Sequence, residues 1–142
     1  IIKQIESQIE AERVDIQIDF VNAPEIYFPK KYMESIFSNL LSNAIKYKSP
    51  DRTPSIQFKS KKEIGCIIVS VKDNGLGIDL DLHKERIFKI RQVFHNHSDS
   101  KGLGLFMTKT QINAMGDEIW VESEVNKGST FFIKFNNQNN EA

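Results

Sequence analysis

Asn39, Asn43 and Lys46 recur at intervals of four and three residues in IFSNLLSNAIKYKSP (36–50), so a helix through this stretch sets them along one edge. Asparagine is a mediocre helix former and a poor core residue. Its recurrence among Ile36, Phe37, Leu40, Leu41 and Ile45 asks for a chemical reason. An amide oxygen is a hard, neutral ligand for a divalent cation. A lysine ammonium is a compact charge suited to phosphate. Two amides and an ammonium on one helical edge can hold magnesium and a polyphosphate together. A solvated polar edge accounts for the same pattern, and the helix alone does not separate the two.

Two glycine-rich segments offer further chemistry. DNGLGI (73–78) follows the apolar run CIIVSV (66–71). Gly75 and Gly77 permit positive φ and a close approach of a ligand to the backbone. Asp73, at the strand end, can accept a hydrogen bond from an exocyclic amine. An ordinary turn has the same composition. In SKGLGLFMTK (100–109), Gly102 and Gly104 precede a helix, whose free N–H groups favour phosphate. Neither GxxxxGK[ST] nor GxGxxG is present.

Periodicity predicts the elements that must position these groups. Residues 1–12 suit a short helix, and VDIQIDFV (14–21) alternates as a strand. Residues 25–28 suit a second short strand. A helix is predicted over 31–47, with Met33, Ile36, Phe37, Leu40, Leu41, Ala44 and Ile45 on one apolar face. Pro50 and Pro54 bracket a turn before a strand pair at 55–61 and 65–72. Residues 82–100 read as a mobile, histidine-bearing polar loop with a short helical piece. A helix over 102–115 carries Leu105, Thr108, Ile112 and Met115 on one stripe, and 118–124 with 129–135 closes a hairpin. The tail NNQNNEA (136–142) has nothing to bury and reads as disordered, leaving 1–135 as one domain. Strands and helices mix without regular alternation, which predicts an α+β layer with helices on one face of a sheet.

The bulk composition narrows the function classes. The 142 residues suffice for one core, and 19 basic residues balance 19 acidic ones. That balance argues against a dedicated nucleic-acid or anionic-membrane surface. No apolar stretch is long enough to span a bilayer. The single cysteine, Cys66, lies in an apolar run and reads as a buried, inert thiol. The first residue is Ile rather than Met, which suggests a piece of a longer protein.

Taken together, the clusters resemble the ATP-binding catalytic domain of sensor histidine kinases, in the GHKL (Bergerat-fold) ATPase group. NLLSNAIKY (39–47) resembles the N box, DNGLGI the G1 box, KGLGLF (101–106) the G2 box, KGSTF (127–131) the last glycine box and IFKIRQVFH (87–95) the F box. The resemblance runs from about Ile5 to Phe135. It implies a two-layer α/β sandwich with a mixed, mostly antiparallel sheet. It implies ATP and Mg2+ as cofactors, with Asn43 as magnesium ligand supported by Asn39. Lys46 and Tyr47 would lie along the phosphates and sugar. Asp73 would read the adenine amine, over Gly75, Gly77 and Ile78. Lys101, Gly102, Leu103, Gly104 and Leu105 would wrap the phosphates, and Thr130 would support the adenine pocket. The stretch from Asp81 to Lys101 would be a lid.

The resemblance also bears on the reaction. Related ATPases place a glutamate four residues before the magnesium asparagine, as general base toward water. Here that position is Asn39, so hydrolysis is disfavoured and transfer to a histidine is favoured. None of His83, His95 and His97 sits in the family's acceptor pattern. The acceptor and dimerisation helices, a sensor domain and a response regulator are therefore expected outside this chain, which by itself is expected to be a cytoplasmic monomer without membrane contact. The intact protein could still be membrane-anchored. Val93 stands where the F box often has an arginine, and Arg91 or Lys101 are the substitutes at hand. Ser100 and Asp117 stand where glycines are usual. An anti-sigma-type serine kinase and a non-catalytic docking module remain as alternatives.

Overall fold

The computed structural model describes residues 13–23, 25–26, 28–83 and 104–136. The elements run β1 (Asp15–Asp19), α1 (Lys30–Lys46), β2 (Ser55–Glu63), β3 (Cys66–Asp73), α2 (Leu80–His83), α3 (Gly104–Ala114), β4 (Glu118–Glu124) and β5 (Gly128–Asn136). The expected helix over 1–12, the F box and most of the expected lid lie outside the described residues.

The strands form one sheet in the order β1-β2-β3-β5-β4. β1 pairs parallel with β2, and every other pair is antiparallel. Strand alternation divides the sheet into two faces. In β5, Phe131, Ile133 and Phe135 point to the helices and are buried, while Thr130, Phe132 and Lys134 point away. Pairing carries the same division across the sheet, with Val71 opposite Phe131 and Val69 opposite Ile133. Against this face α1 packs Ile36, Leu40, Leu41, Ala44 and Ile45, and α3 adds Ile112. Met33 and Phe37 complete the α1 face at its rim. Edge-to-face pairs tighten the core, Phe28 on Phe135 at 5.0 Å and Phe37 on Phe58 at 5.7 Å. Each such pair contributes about 0.5–1.5 kcal/mol beyond its area. On the outer face Trp120 stacks on Phe132.

Most boundaries shift by one or two residues, and three differences have a packing reason. Residues 25, 26 and 28 are not in a strand. Instead the loop is held by side chains: Ala23 and Phe28 join the core, and the buried Ser60 hydroxyl donates to the Ala23 carbonyl at 2.9 Å. Met115 leaves the α3 stripe and is exposed, because the helix ends at Ala114 and Gly116 turns the chain with φ 79°. Asn136, read as tail, is the last residue of β5. Cys66 is a buried free thiol, as expected.

Asp117 explains the Asn136 boundary. Its Oδ1 accepts the Asn136 N–H at 2.7 Å, and the Asn136 amide donates to the Gly116 carbonyl at 3.0 Å. The carboxylate thus joins the end of α3 to the end of β5. Burial pushes the Asp117 carboxyl above its ordinary range, the Asn136 N–H pulls it down, and Glu118 adds to the rise. A folded-state value above the unfolded one means that this group's contribution is fully present below the unfolded pKa and is lost as pH rises through the folded pKa. Asp117→Asn keeps the acceptor and discards the charge. Melting curves are expected to show the variant more stable at pH 7, with the gap closing as pH falls below the ordinary carboxylate range.

Candidate functional site

The site is built from the polar edge of α1 and the turn that leaves β3. Ile36, Leu40 and Ala44 bury one side of α1, which leaves Asn39, Asn43 and Lys46 half-buried on the adjoining edge. Asn39 lies where α1 meets α3, and its amide donates to the fully buried Thr108 hydroxyl at 3.2 Å. The Asn43 side chain makes no hydrogen bond with the described residues. Its backbone carbonyl accepts the Tyr47 N–H at 3.1 Å and ends the helix. Lys46 occupies the last turn, where a cation complements the helix dipole.

The turn after β3 docks on that helix end. Leu76 N–H donates to the Tyr47 carbonyl at 2.9 Å, so half-buried Tyr47 joins the two parts of the site through its backbone. Asp73 is the centre of the turn. Its Oδ1 accepts the N–H of Gly75 at 2.9 Å and of Ser129 at 3.2 Å. Among the described residues Oδ2 accepts none. Burial raises the Asp73 carboxyl above its ordinary range, opposed by these two N–H groups and by the Arg52 charge. One oxygen is fixed, and the other is left to accept a proton donor.

The glycines of the turn serve the protein before they serve any ligand. A Cβ on Gly75 would stand 2.5 Å from the Tyr47 carbonyl oxygen. Gly77 has φ 75°, and a Cβ there would overlap the Glu124 carbonyl. The close approach read from the sequence is therefore made by the chain's own backbone. Gly77→Ala combines strain at positive φ with that overlap and is expected to cost about 1–3 kcal/mol, read as a lower urea midpoint.

The β4–β5 hairpin closes the site from the other side. Ile78 is buried, and its N–H donates to the Ser123 hydroxyl at 2.7 Å. Ser123 in turn donates to the Gly128 carbonyl at 3.0 Å and lies 2.7 Å from the Ser129 hydroxyl. Thr130 does not join this group. It pairs with Lys72 and Glu122 on the sheet face turned away from the helices. Ser129, one residue earlier, takes the place beside Asp73, because a step of one residue along a strand reverses the face.

Gly104 opens α3, and Leu105 packs partly buried against the core. Arg91, Lys101, Gly102 and Leu103 lie outside the described residues. Sequence reasoning missed Ser129, Ser123, Thr108 and Arg52. Only Ser129 had a signal, its place in KGSTF next to the residue chosen.

The donor set around α1 bears on a metal. Magnesium keeps several waters and takes few protein ligands when phosphates supply the rest. One uncommitted amide, Asn43, fits that demand. Asn39 offers only its oxygen, since its nitrogen is bound to Thr108.

Comparison with known proteins places this geometry. Residues 30–139 match the model of the histidine kinase-, DNA gyrase B- and HSP90-like ATPases. The phytochrome-like protein Cph1 of Synechocystis sp. is 31% identical over 131 residues, which cover 91% of this chain and 17% of that protein. Sensor histidine kinase GraS of Staphylococcus epidermidis is 29% identical over 133 residues, covering 92% of this chain and 37% of GraS. The nucleotide-free catalytic domain of histidine kinase ThkA shares the fold with a TM-score of 0.79 at 23% identity, over 96% of this chain and 88% of that one. The chain thus spans a fraction of its curated relatives. It belongs to the histidine kinase-, DNA gyrase B- and HSP90-like ATPase family, as an ATP-binding catalytic domain of the sensor histidine kinase type.

Proposed function

We propose that this domain binds Mg–ATP and presents the γ-phosphoryl group to a histidine outside residues 1–142. The observation that carries the reading is Asp73, half-committed to two backbone N–H groups and joined to the Asn43–Lys46 edge through Tyr47. Asp73 accepts the adenine amine on Oδ2. Gly75, Gly77 and Ile78 form the turn under the base. Asn43 holds magnesium, with the Asn39 oxygen as its neighbour, and Lys46 neutralises phosphate. Tyr47 lies toward the sugar, and Lys101 to Leu105 wrap the phosphates. The metal, when bound, supplies charge neutralisation at the phosphates. Asn39 cannot take a proton from water, so the domain holds ATP without rapid hydrolysis. Transfer to an imidazole needs positioning and charge neutralisation, with little covalent chemistry from this chain.

The intact protein then carries the acceptor and dimerisation helices and a sensor domain, and passes phosphate to a response regulator. ThkA has been captured with the response regulator protein TrrA, which supports a partner of that kind here. We place the domain in the cytoplasm; among the described residues no helix is long and apolar enough to cross a membrane. Val93 favours a second reading, a nucleotide-sensing docking module, because the F-box arginine is missing.

Calorimetric titration with ATP and ADP, with and without magnesium, tests the binding. Magnesium-dependent binding with ATP tighter than ADP is expected. Adding the acceptor helices and observing ATP binding but no phosphohistidine would select the docking module. Rapid phosphate release by the domain alone would overturn the non-hydrolytic role of Asn39.

A further inference from the structure

Arg52 lies in the turn between Pro50 and Pro54, away from every motif described above. Its guanidinium reaches three backbone carbonyls. Nε donates to Asn74 at 2.6 Å, and Nη2 donates to Gly75 at 2.8 Å and to Asn126 at 2.6 Å. The first two belong to the turn after β3 and the third to the turn between β4 and β5. Asp73 Oδ1 is fixed by the N–H of Gly75, in the first turn, and of Ser129, in β5 two residues beyond the second. A backbone bond, Asn126 N–H to the Leu76 carbonyl at 2.7 Å, spans the same gap directly. The planar fork of an arginine suits this bridge, since its five donors can serve several carbonyls at once.

We infer that Arg52 is a positioning residue for purine selection: it bolts the turn after β3 to the β4–β5 turn and so holds the Asp73 carboxylate in the place that distinguishes adenine from guanine. The inference rests on the purine role proposed for Asp73. The bridge leaves the phosphate-facing edge of α1 untouched, so its loss acts on base recognition rather than on phosphate binding. Neighbouring charge does not duplicate it. Glu124 and Lys127 of the hairpin pair with each other at 3.5 Å on the exposed surface.

The test is calorimetric titration of the domain and of its Arg52→Gln, Arg52→Lys and Asp73→Ala variants with ATP, GTP and inorganic tripolyphosphate. Melting curves establish that each variant is folded. Arg52→Gln is expected to lower the ATP-to-GTP affinity ratio about tenfold to a hundredfold, as a displaced recognition group does. Tripolyphosphate affinity is expected to stay within twofold of the parent (roughly the precision of such comparisons). Arg52→Lys restores charge without the fork, and its ratio is expected to fall between the other two. A folded Arg52→Gln with an unchanged ratio would overturn the inference. Equal losses for ATP, GTP and tripolyphosphate would overturn it as well, by reassigning Arg52 to general support of the fold. If Arg52→Gln does not fold, Arg52→Lys is judged by the same criteria. Asp73→Ala separates the two levels. An unchanged ratio in that variant means that the purine role of Asp73 has failed, whereas a collapsed ratio there beside an unchanged one in Arg52→Gln means that only the bridge has failed.

Discussion

Asn43→Ala is expected to abolish the magnesium-dependent part of ATP affinity while the domain stays folded. Asn43 is half-buried on the polar edge of α1, and its amide makes no hydrogen bond with the described residues. Its backbone stays in the helical ladder of α1 and its carbonyl accepts the Tyr47 N–H, both of which alanine preserves. Alanine is also the better helix former, by about half a kcal/mol. The melting temperature is therefore expected to hold or rise. Binding behaves differently. Removing a metal ligand, in a site with few others, is expected to cost about a hundredfold or more, since even supporting residues around a metal cost about 10–100-fold. The measurement is a titration with ATP at zero and saturating magnesium. The variant should give one affinity under both conditions, near the metal-free value of the parent. Retained magnesium dependence would remove Asn43 from its assigned role and shift attention to the Asn39 oxygen.

Asp73→Ala is expected to erase discrimination between ATP and GTP, and Asp73→Asn to reverse it. The carboxylate offers an acceptor where adenine carries an amine and guanine an oxygen. A buried acceptor facing another acceptor leaves both unpaired, and such mismatches cost about a hundredfold or more. In Asp73→Asn the amide oxygen can still accept the Gly75 and Ser129 N–H groups. Its nitrogen then faces the base as a donor, which suits guanine. Competition titrations of the two nucleotides read the ratio directly.

Proton linkage provides an independent check on the same residue. Burial raises the Asp73 carboxyl above its ordinary range, against the pull of the Gly75 and Ser129 N–H groups and of Arg52. As pH falls through that raised value, Oδ2 gains a proton and stops accepting the adenine amine. ATP affinity is expected to drop there, and the Asp73→Ala variant to lose this acid limb. Stability moves in the opposite sense. A carboxyl with a folded pKa above its unfolded one binds its proton more tightly in the folded domain, so acidification favours folding through this residue. Lost binding at that pH is therefore separable from unfolding by a melt in the same buffer.

The amino-acid sequence alone determined the local facts of this protein. The apolar face of α1 is set by its helical spacing. The Asn39–Asn43–Lys46 edge follows from the same spacing, since residues three and four apart share a face whatever surrounds them. Alternation set β2, β3, β4 and β5 within two residues at every end, and the order of the glycine-rich segments set the family. Tertiary structure decided what depends on partners distant in sequence. Asn39 meets Thr108 across 69 residues, and Arg52 meets Asn126 across 74. Backbone carbonyls carry no sequence signature, so nothing in the turn at 50–54 announces its arginine as a bridge. The glycines at 75 and 77 read as room for a ligand, yet only the folded chain shows Tyr47 and Glu124 filling that room. The choice between Ser129 and Thr130 turned on sheet register, where one residue decides which face a side chain joins. Spacing along a chain determines which residues share a face, and packing between elements determines what that face meets.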